Sequence, residues 1–402
     1  MAVKLFNKIF DAGLSTAGQA ANGNVLVCIF LRGGADGLNM VVPVADNFYY
    51  YLRPRIRILE PGWRSTKSGK DLNGYFAFHP SLSPLRPLYQ DGSLAIVHAV
   101  GLPSDTHSHT EAQNNLFRGT LDSHQGTTGW LARHLLAEKS DSASPLRAVG
   151  FGSIMPGILD GYDSTAAFQT FNGFRTNGRG QDQQIFQTYL QNLYKGAGGN
   201  GGMPQAINET QQVLNTLDKL NLFDFASSRY VNYPQSSFGK SLAETYELLN
   251  ADLGLEVVCL EMPGWDTHAE EGSVNGTMSR LMGELAQGLL AFMADMGTRM
   301  KNVLIVTMSE FGRRAYENAS HGTDHGHGNV MFLLGGGVAG GKVYGTYPTL
   351  APDKLVGPGD MAATTDTRDI FAEVVSKWLG NPDLATIFPG YTPKDIGVLK
   401  TV

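Results

Sequence analysis

Residues 25–39, VLVCIFLRGGADGLN, join a run of seven apolar residues to a glycine-rich turn that carries an aspartate. A short run rich in β-branched residues predicts a strand that is buried on both faces, as in parallel sheets covered by helices. The turn places Asp36 just after the strand, and ligands of open α/β sheets bind beyond the carboxyl ends of the strands. This stretch therefore indicates both the fold class and the place to look for a site.

Four further apolar runs have the same character: LAIVHAV at 94–100, LEVVCLEM at 255–262, VLIVTM at 303–308 and VMFLL at 330–334. Between the runs lie helical patterns, at 81–90, 110–118, 128–138, 180–194, 204–220, 239–251, 275–299 and 367–379. This alternation predicts an α/β fold in which a parallel sheet carries helices on both faces. The Gly-, Asn- and Gln-rich segment 160–250 is interpreted as an insertion of helices and loop, or a cap.

Composition narrows the class of protein. Of the 402 residues 42% are hydrophobic and 17% are charged, enough apolar surface for a sizeable core, and the net charge of -6 argues against a nucleic-acid binder. The two cysteines, Cys28 and Cys259, lie in apolar runs and are interpreted as buried thiols. No stretch approaches the ~20 apolar residues of a membrane span. The first 24 residues show neither a signal peptide nor a twin-arginine pair, so we expect a cytoplasmic protein or a mature form without its leader.

The segments that follow or precede the predicted strands collect most of the chemically active side chains. They are Asp36, Asp105, His107, Ser108, His109, Glu111, Asp266, His268, Glu310, Asp324, His325 and His327. Carboxylates with imidazoles suit Mn²⁺, Fe or Zn²⁺, and a hydroxyl at a helix start suits a nucleophile whose neighbouring N–H groups hold an anion. This pattern predicts hydrolysis of a phosphoester-type substrate.

Several strings resemble the DUF1501 family, in the order expected of it and over roughly residues 24–385. They are LRGGADGLNMVVP, SHTEAQ, TGWLARHL, WDTH, SEFGR, GTDHGHGN and TTDTRDIFAEVVSKWLG. The resemblance implies the alkaline-phosphatase-like superfamily fold, a mixed, mostly parallel sheet sandwiched by helices. We expect one such domain over 24–390, with 1–23 as an N-terminal extension and 160–250 as an insertion. Members of the family commonly carry a twin-arginine leader, so an exported or periplasmic location is the alternative to a cytoplasmic one.

The resemblance also implies roles for individual residues. Ser108 stands at the position of the nucleophile, and Phe311 stands where the superfamily has a histidine ligand. Independently of the resemblance, the planar guanidinium of Arg313 is suited to bind the oxyanion of the substrate, and His107, His109 and His327 are candidates for contacting the substrate. One or two divalent metals, Zn or Mn, would be held by Asp36, Asp266, His268, Glu310 and His325, with Asp324 as a carboxylate that replaces the missing imidazole.

Other interpretations of the same residues stay open at this point. Ser108 is equally suited to cap a helix together with Glu111, and Thr106 and Thr110 are alternative nucleophiles. Glu310 is also suited to a salt bridge with Arg313 or Arg314. The expected function is a metal-dependent hydrolase of a phospho- or sulfo-ester, with a small-molecule or glycan substrate. The alternative is a catalytically weakened family member that binds an anionic glycan or a protein partner.

Overall fold

The computed structural model describes residues 23–62, 65–121, 126–138, 144, 146–152, 156–171, 210, 212–217 and 232–401. The N-terminal extension, the helix predicted at 180–194 and most of the one predicted at 204–220 lie outside these ranges. The division into one domain with an insertion at 160–250 stays a prediction.

Fourteen strands lie in the described part of the chain. They are β1 (Val25–Arg32), β2 (Val41–Val42), β3 (Lys70–Asp71), β4 (Ala77–Phe78), β5 (Leu94–Gly101), β6 (Ala148–Phe151), β7 (Thr165–Phe168), β8 (Val257–Pro263), β9 (Val303–Met308), β10 (Asn329–Gly335), β11 (Val343–Tyr344), β12 (Leu355–Val356), β13 (Asp360–Met361) and β14 (Thr365–Asp366). All five strands predicted from the apolar runs are present. The strands β6 and β7 were missed, because AVGF and TAAF are short and poor in β-branched residues.

Nine of these strands form the central sheet in the order β11-β5-β10-β9-β1-β8-β6-β7, with β14 also pairing with β5. Strand β10 is antiparallel to both of its neighbours, β5 and β9, whereas the other pairs in this sheet are parallel. The expected mixed, mostly parallel sheet is confirmed.

The α-helices of the described ranges are α1 (Gly37–Met40), α2 (Asn47–Leu52), α3 (Arg86–Gln90), α4 (His109–Arg118), α5 (Trp130–Ala137), α6 (Ser237–Asn250), α7 (Thr277–Met296), α8 (Thr367–Glu373) and α9 (Leu384–Ile387). Shorter 3₁₀ turns span Pro80–Leu85, Gly157–Leu159 and Gly297–Asn302, and a π turn, Val374–Trp378, follows α8. The helix predicted at 81–90 is divided into a 3₁₀ turn and α3. Pro84 and Pro87 lack the N–H groups that a continuous helix would use.

Alternate residues of β1 belong to two different hydrophobic cores, one on each face of the sheet. Val27 and Ile29 belong to the core that includes Leu285 and Leu289 of α7. Leu26, Cys28 and Phe30 belong to the core that includes residues of α5 and α8, such as Trp130 and Phe371. Helices therefore cover both faces, as the continuous apolar runs predicted.

The strand directions bring five loops to one edge of the sheet. The parallel strands β1, β5, β8 and β9 all end at this edge, and the antiparallel β10 begins there. No helix within the described ranges is long and apolar enough to cross a membrane.

Candidate functional site

Three histidines and one aspartate meet where these loops converge, and we call them the histidine–aspartate cluster. One ligand atom from each of His109, Asp266 and His325 lies within 4.8 Å of the other two. His268 joins them, because its Nε2 lies 3.1 Å from Oδ1 of Asp266 and 2.9 Å from Nε2 of His325. The side chains of His268 and Asp266 are each 44% exposed, so the cluster is open to solvent.

The four members of the cluster come from three separate segments of the chain. His109 is the first residue of α4, Asp266 and His268 follow β8, and His325 precedes β10. The backbones approach closely there: Gly33, with φ of +124°, leaves no room for a Cβ, which would lie 2.5 Å from the backbone nitrogen of Asp266. The glycine-rich turn after β1 thus positions the loop that carries Asp266.

The second ring nitrogen of His325 fixes the state of the first. Its Nδ1 lies 2.8 Å from the backbone carbonyl oxygen of His107, and a carbonyl can only accept a hydrogen bond. Nδ1 therefore carries the proton, and Nε2 of the neutral ring presents a lone pair to the cluster. Burial lowers the pKa of His325, although the contacts with the carbonyl of His107 and with the carboxylate of Asp266 oppose this, and the neutral form is favoured.

The same arrangement recurs at the other two histidines. Nδ1 of His109 donates to Glu310 at 2.8 Å, and Nδ1 of His268 donates to Asp324 at 3.1 Å. Burial raises the pKa of each carboxyl, but hydrogen bonds to both lower it overall, so both are ionised acceptors. These bonds place a proton on Nδ1 of both rings. The hydrogen bond to Glu310 raises the pKa of His109, although burial opposes this. Nε2 of all three imidazoles faces Asp266, and in the neutral ring it offers a lone pair there.

Two of these nitrogens lie so close together that a positive charge is needed between them. Nε2 of His268 and Nε2 of His325 are only 2.9 Å apart, and two unprotonated nitrogens at that distance repel each other. A proton or a metal cation between them removes the repulsion. Metal-bound histidines typically donate their other N–H to a carboxylate or a backbone carbonyl, as all three histidines do here. The residues therefore fit a divalent cation.

Asp266 is held as an anion by a buried arginine. Burial alone would raise its pKa, but the hydrogen bond from Arg313 and its charge, with His325 and His268, lower the pKa of Asp266 to about 2. Nη2 of Arg313 lies 2.6 Å from Oδ1 of Asp266. The carboxylate is thus charged at any ordinary pH and is available to a cation.

Arg313 itself does not fit the role predicted for it. Its side chain is fully buried, and its guanidinium donates to the backbone carbonyls of Gly33, Gly34, Trp265 and Thr323. It ties three loops together and holds Asp266, so it cannot reach the oxyanion of a substrate. The neighbouring Arg314 is 25% exposed and lies against the carbonyl of His325, which makes it the guanidinium nearer to an incoming anion.

Glu310 and Asp324 orient histidines instead of joining the cluster. The buried Glu310 accepts hydrogen bonds from the backbone of Gly33 and Gly34, from Gln113 and from His109. The salt bridge to Arg313 or Arg314 considered for Glu310 is absent from its bonds in the described structure. Its Oε1 accepts from His109, and its Oε2 accepts from the backbone of Gly33 and Gly34. In the structure, Glu310 thus contacts His109 and Asp324 contacts His268, whereas the sequence analysis placed both carboxylates among the metal ligands.

Asp36 lies in a separate buried group, the arginine–carboxylate cluster of Asp36, Arg53 and Glu271. Arg53 forms an ion pair with Asp36 in which both side chains are fully buried, and Nη2 to Oδ1 is 3.0 Å. Burial raises the pKa of Asp36, but the charge and hydrogen bonds of Arg53 lower it overall. The structure does not bring Asp36 into the histidine–aspartate cluster, because a guanidinium 17 residues later in the chain neutralises it.

Ser108 lies between two residues that contact the site. His107 binds His325 through its carbonyl, and His109 belongs to the cluster. Ser108 is the exposed N-cap residue of α4, yet its side chain makes no capping hydrogen bond there. The capping box considered for Ser108 and Glu111 does not form, since Thr106 donates its hydroxyl to Glu111 instead, at 2.8 Å.

The remaining predicted contacts have structural partners. Nε2 of His107 lies 2.8 Å from Oδ2 of Asp360, and Nε2 of His327 donates to the carbonyl of Leu102 at 2.7 Å. Phe311 packs on two rings of the cluster, with its centroid 5.0 Å from His109 and 4.6 Å from His325. It stabilises the positions of both imidazoles without offering a ligand atom.

The sequence placed His109 among substrate contacts, whereas the structure puts it at the centre of the cluster. Gln113, one helical turn later, was the sequence signal that could have placed His109 in the cluster. His109 and Gln113 share a face of α4, and both donate to Glu310. Recognising that face requires the position of Glu310, 201 residues away in the chain.

A family model described as "Protein of unknown function (DUF1501)" matches residues 226–376, which confirms the resemblance to this family. No curated protein matches the chain.

Three solved structures are among those similar to this chain. The C-terminal periplasmic domain of EptC from Escherichia coli, in complex with Zn, is 9% identical with a TM-score of 0.35, covering 80% of this chain and 74% of that one. The lipoteichoic acid synthase LtaP from Listeria monocytogenes is 10% identical with a TM-score of 0.36, covering 98% and 81%. A putative sulfatase from Bacteroides thetaiotaomicron is 12% identical with a TM-score of 0.33, covering 92% and 75%.

Proposed function

We propose that the chain is a metal-dependent hydrolase of a phospho- or sulfo-ester, with one divalent ion held by His109, Asp266, His268 and His325. The observation that carries this proposal is the set of three Nε2 atoms that face one carboxylate, in rings that are each held by a hydrogen bond at Nδ1. A set of solvent-exposed polar side chains without a ligand has no need of three matched tautomers.

The donor set favours Zn²⁺, with Mn²⁺ as the second choice. Imidazole-rich sites suit zinc, and the carboxylate of Asp266 is a ligand that both ions accept. One ion is expected instead of two, because Asp36 is neutralised by Arg53 and Phe311 offers no ligand atom. When bound, such an ion supplies the positive charge that polarises an ester oxygen.

Ser108 is the proposed nucleophile. Its neighbours His107 and His109 both contact the site, and its hydroxyl is not used to cap α4. The first N–H groups of α4 are oriented to hold an anionic oxygen beside it, as at other helix N-termini. Arg314, partly exposed against His325, is the proposed contact for the remaining charge of a phosphate or sulfate group.

The proposed substrate is a phosphate or sulfate ester of a small molecule or a glycan. Its tetrahedral anionic group would contact the metal site, the hydroxyl of Ser108 and the guanidinium of Arg314, all of which are at least partly exposed.

The experiment is turnover of aryl phosphate, phosphodiester and aryl sulfate esters by the protein loaded with Zn²⁺ or Mn²⁺. Ser108→Ala should lower turnover by roughly 10²-fold or more. Thr110→Ala is the matched control, because Thr110 is an exposed hydroxyl in the same helical turn and should retain near-normal turnover.

Turnover that survives in Ser108→Ala would remove Ser108 from the mechanism and leave the metal site standing. A protein that binds its metal but hydrolyses none of the esters would contradict the hydrolase proposal. That result would favour the alternative, a weakened family member that binds an anionic glycan or a protein partner. The cytoplasmic or exported location of the chain stays a prediction.

A further inference from the structure

An apolar cavity of about 180 Å³ lies on the α4 side of the sheet, next to the histidine–aspartate cluster. Its apolar walls come from strands β1, β6, β8 and β9, from α4 and from the 3₁₀ turn Gly157–Leu159. They include Phe30, Phe117, Phe151, Ile158 and Met308. The two cysteines, Cys28 and Cys259, are paired in register on β1 and β8 and also line it. Buried thiols behave as small apolar side chains, so the walls are mostly apolar.

The size of the cavity limits what it can hold. An apolar cavity of about 150 Å³ binds benzene and stays free of water. A cavity of about 180 Å³ with three aromatic walls therefore suits one aromatic ring or an alkyl group of the same volume. Phe30 and Phe117 meet edge to face, with centroids 4.9 Å apart, and offer the ring edges and faces against which a third ring packs well.

One face of α4 joins the cavity to the cluster. His109, Gln113 and Phe117 are spaced four residues apart and therefore lie on the same side of the helix. His109 belongs to the cluster, Gln113 donates to Glu310 at 3.1 Å and lines the cavity, and Phe117 lies in its wall. The eight residue steps from His109 to Phe117 span about 12 Å of helix, so a single small molecule can reach from the cluster to the cavity.

The wall of the cavity also reaches solvent. Arg32 and Glu261 line it and form an ion pair of 2.6 Å, with their side chains 45% and 25% exposed. This ion pair forms a polar, partly exposed rim on the apolar cavity, through which the apolar end of a ligand can enter from solvent.

We propose that this cavity binds the apolar end of the substrate, a single aromatic ring or an alkyl group of equal volume, while the anionic ester group lies at the histidine–aspartate cluster. This inference rests on the proposed function and adds that the substrate is amphipathic. Gln113 and Glu310 stand between the two ends, so they separate the apolar subsite from the charged one.

The binding test uses fluorobenzene, a neutral ring that has no affinity for a metal site, followed by ¹⁹F NMR. Cys259→Met fills the cavity with a larger side chain and should weaken fluorobenzene binding at least tenfold. Cys259→Ala leaves the space open and should keep the affinity within about threefold. Cys28→Val fills the same space more gently from the neighbouring strand, and should also weaken binding if Cys259→Met fails to fold. No binding to the wild-type protein, or equal binding by the filled variants, would overturn the inference.

The second arm compares turnover of phenyl and methyl esters of the same acid. The wild-type protein should prefer the phenyl ester in kcat/KM, and Cys259→Met should reduce that preference at least tenfold. Equal turnover of the two esters by the wild-type protein would overturn the inference and leave the proposed function intact. Fluorobenzene binding that persists after chelation, in a protein that hydrolyses no ester, would overturn the function alone.

Discussion

Two aspartates, Asp36 and Asp266, lie after strand ends at the same edge of the sheet. Each forms an ion pair with a buried arginine, and the two differ in how far the carboxylate is exposed to solvent. In the arginine–carboxylate cluster, the guanidinium of Arg53 neutralises Asp36 in a site that is fully buried. In the histidine–aspartate cluster, Asp266 faces three imidazoles at a site that is open to solvent. The first cluster is closed to solvent, whereas the second is open to the cation that we propose it binds.

The burial of each carboxylate determines whether its charge must be paired entirely within the protein. A charge taken fully out of water must be paired within the protein, because its lost hydration costs several kcal/mol. Glu271 shows the same rule: burial raises its pKa well above its ordinary value, and the charge of Asp36 raises it further, so Arg53 has only one anion to neutralise. Asp266 is also paired with an arginine, Arg313, but its carboxylate is 44% exposed and can be reached by a cation from solvent.

Removal of the internal cation should have the largest effect on stability. Arg53→Met leaves Asp36 buried without its partner, which should lower the free energy of unfolding by about 3–5 kcal/mol. Urea denaturation followed by circular dichroism measures the change. Arg55→Met, at an exposed arginine two residues later, is the control and should change stability by less than about 0.5 kcal/mol. Metal content of folded Arg53→Met should equal that of the wild type, and a loss of metal would show that the two clusters are one site.

Glu244 is a buried acid with no arginine, and it tests the same rule through pH. Burial raises its pKa to about 7, and Oε2 has no hydrogen-bond partner in the described structure. Between the ordinary pKa and this one, the unfolded state releases the proton while the folded state keeps it. The free energy of unfolding should therefore fall as pH rises from about 4.5 to 7, by about 2–3 kcal/mol, and level off above that.

Glu244→Gln removes the titrating group and should flatten this slope. Thermal or urea unfolding at several pH values compares the two proteins, and Glu261→Gln, at a partly exposed acid that is paired with Arg32, should retain the wild-type slope. An unchanged slope in Glu244→Gln would show that Glu244 is ionised in the folded protein.

The outer carboxylate of the histidine–aspartate cluster should have the smallest of these effects. Glu310→Gln weakens the hydrogen bond that fixes the tautomer of His109, so Zn²⁺ affinity should fall about 10–100-fold. Competition with a chromogenic chelator measures the affinity. Gln113→Met is the comparison, because it removes one neutral donor to Glu310 and leaves the His109 bond in place, so its loss should be smaller. Affinity unchanged in Glu310→Gln would mean that His109 is not a ligand.

Much of the fold could be predicted from local pattern. The apolar runs of β1, β5, β8, β9 and β10 each formed a strand of nearly the predicted length, because a strand buried on both faces leaves a continuous signal. The edge at which the site residues gather followed from strand direction. What local pattern missed were β6 and β7, which are short, and the break before α3, where two prolines interrupt the helix.

The sequence could indicate which loops meet, but only part of the contacts among their side chains. His268, Asp266 and His325 lie together because they belong to loops at one edge, which sequence order could indicate. The roles of Asp36, Arg313 and His109 depend on contacts across 17, 47 and 201 positions of the chain. Whether an acid meets an arginine, or an imidazole meets a carboxylate, is decided by those distant contacts and leaves no local trace.

A crystal structure of the zinc-loaded protein, with anomalous diffraction recorded on both sides of the zinc absorption edge, tests the central claim most directly. The account predicts one anomalous peak, coordinated by Nε2 of His109, His268 and His325 and by Asp266, with Arg53 still paired to Asp36. A peak beside Asp36 with Arg53 displaced, or no peak at the three imidazoles, would contradict it.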